Sequence, residues 1–560
     1  MQTVRRLYLY VMSGITLGVV LFGLNNLFVV VFHAFGLGRA DLGGSASDRE
    51  TLSLSIALIV VGGLVWGIHW LLIERSLRAD DARASEERTS PIRALYLSVV
   101  LAVTLAFGVL AAIQLLQRAA RAALQVPRAN DFAFFEIDLG AALATVVVMA
   151  IAWGYHVIVR RRDLAHAEMS GAAAWLPRVY LYGAALLGLI LAAIEIGSLL
   201  RMAFAALIGL GPETDPFDPG SPARATADAL AGMVAWTVIW AGHWLYATNL
   251  SAGDGWRALS ERRSRLRVAF LVAVIGAGAI ATVALATQSA TTLIEQLLGQ
   301  RDAADSLALP VAGPLLALLP WLGAWWIHAV WLRHEAQTSD VPDRSASAAR
   351  LSSSIVALVG AVTTAAGGAG LLGLLLDRVL GGTRTQGSQG ADLPAFVALA
   401  LIGTVLWLWP WMGLQARHAA DPVGEAASTV RRSYLLIVIG ASLLAVLASL
   451  AVVLFQVFNT VLGVQAVGSR TSIVAAALGV LLMAAASAIY HGLLERADRR
   501  LRTSATEADQ PTDTDSESLQ AAPGVSRALV LHAPTAVELE QGVATVRAAL
   551  PPGVTLEEEA

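Results

Sequence analysis

A chain of 560 residues in which 56% are hydrophobic and 14% charged, with the charges clustered between long apolar runs, is excluded from the water-soluble classes and reads as a polytopic membrane protein. Cysteine is absent, which rules out disulfides, thiolate metal sites and a cysteine nucleophile. The formal net charge of −3 says little by itself, because the arginines are distributed unevenly along the chain.

Twelve spans are expected, at about 7–35, 51–73, 94–117, 138–159, 178–208, 225–247, 266–298, 307–332, 351–380, 393–414, 432–462 and 471–494. The first run is too long for a signal-peptide core and is expected to stay as a membrane helix. Taken in pairs, the spans form six hairpins. The opening helix of each begins near an Arg and an aromatic: Arg6 and Tyr8, Arg93 and Tyr96, Arg178 and Tyr180, Arg267 and Phe270, Arg432 and Tyr434, with Ser352 standing for the ring after Arg350. In five copies the same helix is expected to stop at a glycine, namely Gly36, Gly209, Gly299, Gly381 and Gly463, because glycine takes the left-handed conformation cheaply.

The returning helices carry a second signature near their ends. Trp66-x-x-His69, Trp153-x-x-His156, Trp240-x-x-His243 and Trp325-x-x-His328 lie 87, 87 and 85 residues apart. Trp409-x-x-Met412 continues the series without the His, and His491 continues it without the Trp. The reading is therefore an all-α membrane domain over 1–500 made of six tandem parallel hairpin repeats, at about 1–88, 89–173, 174–260, 261–344, 345–427 and 428–500. Most arginines fall at the termini and between hairpins, so the positive-inside rule puts both termini in the cytoplasm. Residues 501–523 read as an acidic disordered linker, and 524–560 as a small β-α-β tail. Its helix is marked by the capping pair Thr535 and Glu538 and by an apolar face of Leu539, Val543, Val546 and Leu550.

The opening Arg6-Leu7-Tyr8-Leu9-Tyr10, echoed by Arg178-Val179-Tyr180-Leu181-Tyr182, together with the Trp-x-x-His helix ends, resembles an uncharacterised family of bacterial multi-pass membrane proteins, a domain of unknown function. The resemblance covers the twelve spans and leaves out the tail; the expected location is a bacterial inner membrane. It supplies no functional residues.

Two groups of residues remain as candidates. The Trp-His pairs, with His491, read as interfacial anchors or interhelical hydrogen-bonding groups rather than haem ligands, and no cofactor or metal is expected. Glu195, an acidic residue deep in a span, lies at a depth similar to Asn26, Gln114, Ser198 and Gln288, and a common orientation would make a polar vestibule open to the outside. The glycine-rich run from Gly360 to Gly373 reads as close helix packing. No catalytic constellation is legible. The expected role is a non-enzymatic membrane scaffold or sensor, in contact with lipid and with a cytoplasmic protein partner for the tail, with no nucleic acid. A transporter or channel using the vestibule is the alternative.

Overall fold

The computed structural model describes residues 2–37, 45–78, 82–126, 138–166, 169–210, 221–253, 255–302, 304–337, 344–382, 386–464 and 469–508, with isolated positions 543 and 546. Those residues form helices and their caps, as lipid demands of a spanning backbone that must satisfy its own polar groups. The opening helices are α1 (Gln2–Ala34), α4 (Pro91–Ala123), α6 (Gly171–Leu207), α9 (Arg265–Leu297), α11 (Arg344–Val379) and α14 (Thr429–Val461). The returning helices are α2 (Ser45–Arg78), α5 (Leu139–His166), α7 (Ser221–Ser251), α10 (Ala308–Gln337), α12 (Gln386–Ala420) and α15 (Arg470–Ala508). Three short helices, α3 (Ala82–Arg88), α8 (Trp256–Arg262) and α13 (Pro422–Ala427), precede α4, α9 and α14. All twelve long helices are long and apolar enough to cross a membrane.

The chain divides into two compact units, Met1–Arg499 and Arg500–Ala560. In the first, neighbouring helices pack in sequence order: α1 on α2, α4 on α5, α6 on α7, α9 on α10 and α11 on α12. These helix pairs also associate with one another. Helix α1 packs on α4 and α5, α6 on α9 and α10, and α11 on α14. The second opening helix then makes the seam to the following group, α4 against α6 and α7, and α9 against α11 and α12. The interior is thin: at most 39% of the most apolar window of any span is buried, and large side chains such as Phe22, Leu64, Phe107, Leu444 and Phe458 face outward.

The glycine stops are found where the sequence places them. Gly36, Gly209, Gly299, Gly381 and Gly463 all have φ between 66° and 75°. In the copy without glycine, Gln125 takes the same left-handed conformation at φ 51°. Val126 N–H reaches back to the Arg121 carbonyl at 2.9 Å, as Leu37 N–H does to Phe32 at 3.0 Å, so the cap geometry overrides the residue's preference. A side chain in that region costs about 1–2 kcal/mol. Gln125→Gly is therefore expected to raise stability by about 1 kcal/mol, read as a higher midpoint of thermal unfolding in detergent. An unchanged or lower midpoint would count against the strain.

The run from Gly360 packs as read. A Cβ on Gly360 would fall on the backbone of Leu406 and Trp407, one on Gly367 on Leu399 and Ala400, and one on Gly403 within 2.5 Å of Thr364 N. Helices α11 and α12 thus touch backbone to backbone, the use small residues have in membranes. At the C-terminal end one boundary moves. Helix α15 continues to Ala508, through the start of the segment read as a disordered linker, because nothing before Pro511 breaks a helix. The rest of that linker and, apart from the isolated positions 543 and 546, the segment read as a β-α-β tail lie outside the described residues.

Candidate functional site

At the end of the bundle where the opening helices start, here termed the basic side, the first turns of α4, α9 and α14 turn an arginine inward. The turns begin after extended Ser90, Ser264 and Ser428. Arg93 is 1% exposed and donates from Nε and Nη2 to both oxygens of Asp163, at 2.7 and 3.1 Å. Arg267, wholly buried, donates from Nε to Glu335 at 2.9 Å, and Arg431 from Nε to Asp498 at 2.7 Å. Each guanidinium also lies against an indole of the preceding returning helix: Arg93 is 5.8 Å from the centre of a Trp70 ring, Arg267 5.0 Å from Trp244 and Arg431 5.9 Å from Trp411. Cation–π contact and bidentate pairing offset the desolvation of a buried charge.

A second arginine feeds the same cluster. Arg6, Arg178 and Arg350, on α1, α6 and α11, donate from Nε to Glu87, Glu261 and Glu425 at 2.7, 2.8 and 2.8 Å. Those glutamates sit on the short helices α3, α8 and α13, which pins each linker to the helix that opens its group. In the first two groups a tyrosine joins the pairs. Tyr10 donates to Glu87 at 2.8 Å and accepts from Arg93 at 3.2 Å, and Tyr182 donates to Glu261 at 2.5 Å and accepts from Arg267 at 3.3 Å. In the third group the equivalent residue is Ser354, and Arg431 instead donates to Gln415 at 2.9 Å.

Deeper in the bundle each group holds an aromatic box. Trp66, Trp70, Tyr96 and His156 form the first, Trp240, Trp244, Phe270 and His328 the second, and Trp407, Trp411, Tyr434 and His491 the third. The histidine tautomer follows from the backbone. Nδ1–H of His69, His156, His243, His328 and His491 donates to the carbonyl four residues earlier, at 2.7–2.9 Å, which leaves Nε2 as an acceptor. Tyrosine hydroxyls face it in three cases: Tyr8 at 3.2 Å from His69, Tyr96 at 3.4 Å from His156 and Tyr180 at 3.1 Å from His243. Trp153 Nε1–H in turn donates to Tyr180 at 2.8 Å. At the second box Phe270 has no hydroxyl, and His328 Nε2 is buried without a hydrogen-bond partner among the described residues. Phe270→Tyr is expected to supply one and stabilise the bundle by about 1 kcal/mol, measured as an increase in unfolding free energy. A loss of stability would mean that the box has no room for the hydroxyl.

The sequence-predicted residues fall into two sets. The His rings at 156, 243, 328 and 491 are buried between helices; Trp66, Trp240 and Trp325 are partly buried against the core clusters, and His69 is half-buried. In the fifth copy the register is Trp407-x-x-Pro410: Trp407 and Trp411 take the places of Trp66 and Trp70, while Trp409 and Met412 are exposed. In the sixth copy the buried arginine is Arg431 and Arg432 is exposed. The spacing Trp-x-x-x-Trp, shared by Trp66/Trp70, Trp240/Trp244 and Trp407/Trp411, is the signal that would have identified the correct register. The partner carboxylates were not singled out from sequence, although Asp163, Glu335 and Asp498 each follow the box histidine by seven residues.

Gln114 and Gln288 lie on exposed helix faces, while Asn26, Ser198 and Glu195 are half-buried. Among the described residues no hydrogen bond or ion pair joins any of the five to another. Glu195 rests against Gly232 of α7, where an added Cβ would lie 2.9 Å from its Oε1. The neighbouring ion pair belongs to Arg121 and Asp228, with Nη2 2.7 Å from Oδ1, and ties α4 to α7.

Twelve apolar helices with these internally paired clusters define a multi-pass membrane protein braced from within by buried ion pairs. The chain belongs to the family of a domain of unknown function, DUF5671, whose model matches it three times, over residues 6–155, 178–323 and 350–486. Each match begins at the arginine that opens one of the three groups, Arg6, Arg178 or Arg350, and takes in four long helices. No curated protein and no solved structure matches the chain.

Proposed function

We propose that the protein is a non-enzymatic scaffold of a bacterial inner membrane, built of six parallel hairpins associated in twos, with both termini cytoplasmic and the tail offered to a cytoplasmic protein partner. The observation that carries this reading is the use of the chemistry on the basic side. The six slot arginines, Arg6, Arg93, Arg178, Arg267, Arg350 and Arg431, each bond a carboxylate of the same chain, so these charged groups brace helices and linkers and do not face a substrate. The excess of arginine on that side supports the cytoplasmic orientation. Reporter fusions after Arg78, Arg162, Arg263 and Arg500 are expected to report cytoplasm at all four points, and a periplasmic signal at any one would break the topology.

One observation favours the alternative of a transporter. Glu195 is an ionisable group in a span, set against a glycine, and no hydrogen bond or ion pair to another described residue holds its carboxyl. If the scaffold reading holds, purified protein in proteoliposomes shows no pH- or cation-dependent flux, and Glu195→Gln keeps the same thermal stability. Flux in the wild type that disappears in Glu195→Gln, with stability unchanged, would replace the scaffold with a transporter.

A further inference from the structure

The seam between successive groups is built twice within the chain, and the first and third groups each carry one open half of it. Helix α9 of the second group lies on α11 and α12 of the third. Val272, Ala279 and Val283 of α9 pack into one core cluster with Val359 of α11 and Ile402 of α12, and a Cβ on Gly276 would lie 3.4 Å from Ile355. These four positions of α9 fall on one helix face. Helix α4 likewise packs on α6 and α7 of the second group, and Ser98 and Val109, which stand as far from Arg93 as Val272 and Val283 do from Arg267, are buried. Helix α14 holds the equivalent place in the third group, and no further group of this kind follows it among the described residues. Counted from Arg431, its matching stripe is Leu436, Gly440, Leu443 and Leu447. The three leucines are 47%, 55% and 65% exposed, and a Cβ on Gly440 would meet nothing within 4 Å. The other half of the seam is open on the first group. Val11 and Ile15, counted from Arg6, and Val61, counted from Trp66, hold the places of Ile355, Val359 and Ile402, and are likewise exposed.

We propose that these two faces meet between copies of the protein, α14 of one copy packing on α1 and α2 of the next as α9 packs on α11 and α12 within the chain. A second copy is the occupant because the chain itself already joins faces of this kind, in this register, between its own groups. Lipid wets both faces as well as protein does, so the contact is driven by interdigitation of the two stripes and not by the hydrophobic effect. The faces differ, which makes the contact heterologous. Each copy uses α14 towards one neighbour and α1 with α2 towards the other, giving a ring if the rotation closes and a row if it does not. Such a contact is as compatible with a transporter as with a scaffold.

The chain has no cysteine, so a disulfide can report the contact without background. Val11→Cys with Gly440→Cys places thiols at the counterparts of Ile355 and Gly276, within bonding reach once the seam forms. Both positions are open, so the variant should fold. Full-length protein in the membranes of the expressing cells, oxidised with copper phenanthroline, is expected to run as a ladder of multiples of the chain on a non-reducing gel. When a Val11→Cys copy and a Gly440→Cys copy are co-expressed with different tags, each should link to the other and neither to itself. Gly276→Cys with Ile355→Cys tests the register inside one chain and should close there. Val238→Cys, on an exposed part of α7, paired with Val11→Cys measures random collision and should give no ladder. A second copy is ruled out if the internal pair closes and no ladder forms, which leaves lipid on both faces, or if the Val238 pair links equally well. Gly440→Cys linking to itself as strongly as to Val11→Cys would replace the heterologous contact with a two-fold one. Failure of the internal pair to close would overturn the register on which the contact is built.

Discussion

Arg93→Met is expected to destabilise the membrane bundle by about 3–5 kcal/mol, the usual cost of stranding one partner of a buried ion pair. Asp163 is 3% exposed and would keep a charge that no water reaches, while Tyr10 would lose the guanidinium that donates to it. The double variant Arg93→Met with Asp163→Leu removes both charges and should recover most of that loss, since an apolar pair of similar volume is often neutral against a buried salt bridge. The check is a double-mutant cycle on unfolding free energy in detergent. A single-variant cost under about 1 kcal/mol would class the pair with exposed salt bridges and remove the basis for reading it as a brace.

The second large effect is expected at the crossing of α11 and α12. Gly360→Val places a Cβ on the backbone of Leu406 and Trp407, which cannot rotate aside as a side chain would, so the helices must separate. Overpacking costs about 1–3 kcal/mol where side chains can shift, and a backbone clash lies at or above the top of that range. The change should also reach the third aromatic box, because Trp407 and Trp411 ride on α12. Gly413→Val is the control on the same helix: its Cβ would meet nothing within 4 Å, so it should be nearly neutral. Thermal unfolding followed by tryptophan fluorescence reads both. Equal midpoints for the two variants would show that the crossing is looser than described.

The class of the protein, its twelve spans and the stops of its opening helices are legible without a structure, because hydrocarbon thickness sets the length of an apolar run and glycine alone takes a left-handed cap at little cost. The small-residue run in α11 is legible for a similar reason: its meaning depends on helix spacing, which is local. Even there the sequence misses Gln125, whose backbone follows the cap its neighbours impose. What only the tertiary structure decides is pairing across hairpins. A repeat of about 87 residues read from Trp-x-x-His hides a period twice as long, in which Tyr10 and Tyr182 stand four residues after the slot arginine in one hairpin and Tyr96, Phe270 and Tyr434 three after it in the next. A shift of one residue rotates a side chain by about 100° around a helix, and thereby chooses whether the ring meets the short-helix glutamate or the box histidine. The carboxylates that complete each cluster lie 67 to 83 residues from their arginines. The seven-residue spacing from the box histidine marks three of these carboxylates but not the arginine each meets, and the ion pairs exist because packing brings two faces together and excludes the water that would otherwise hold each charge apart.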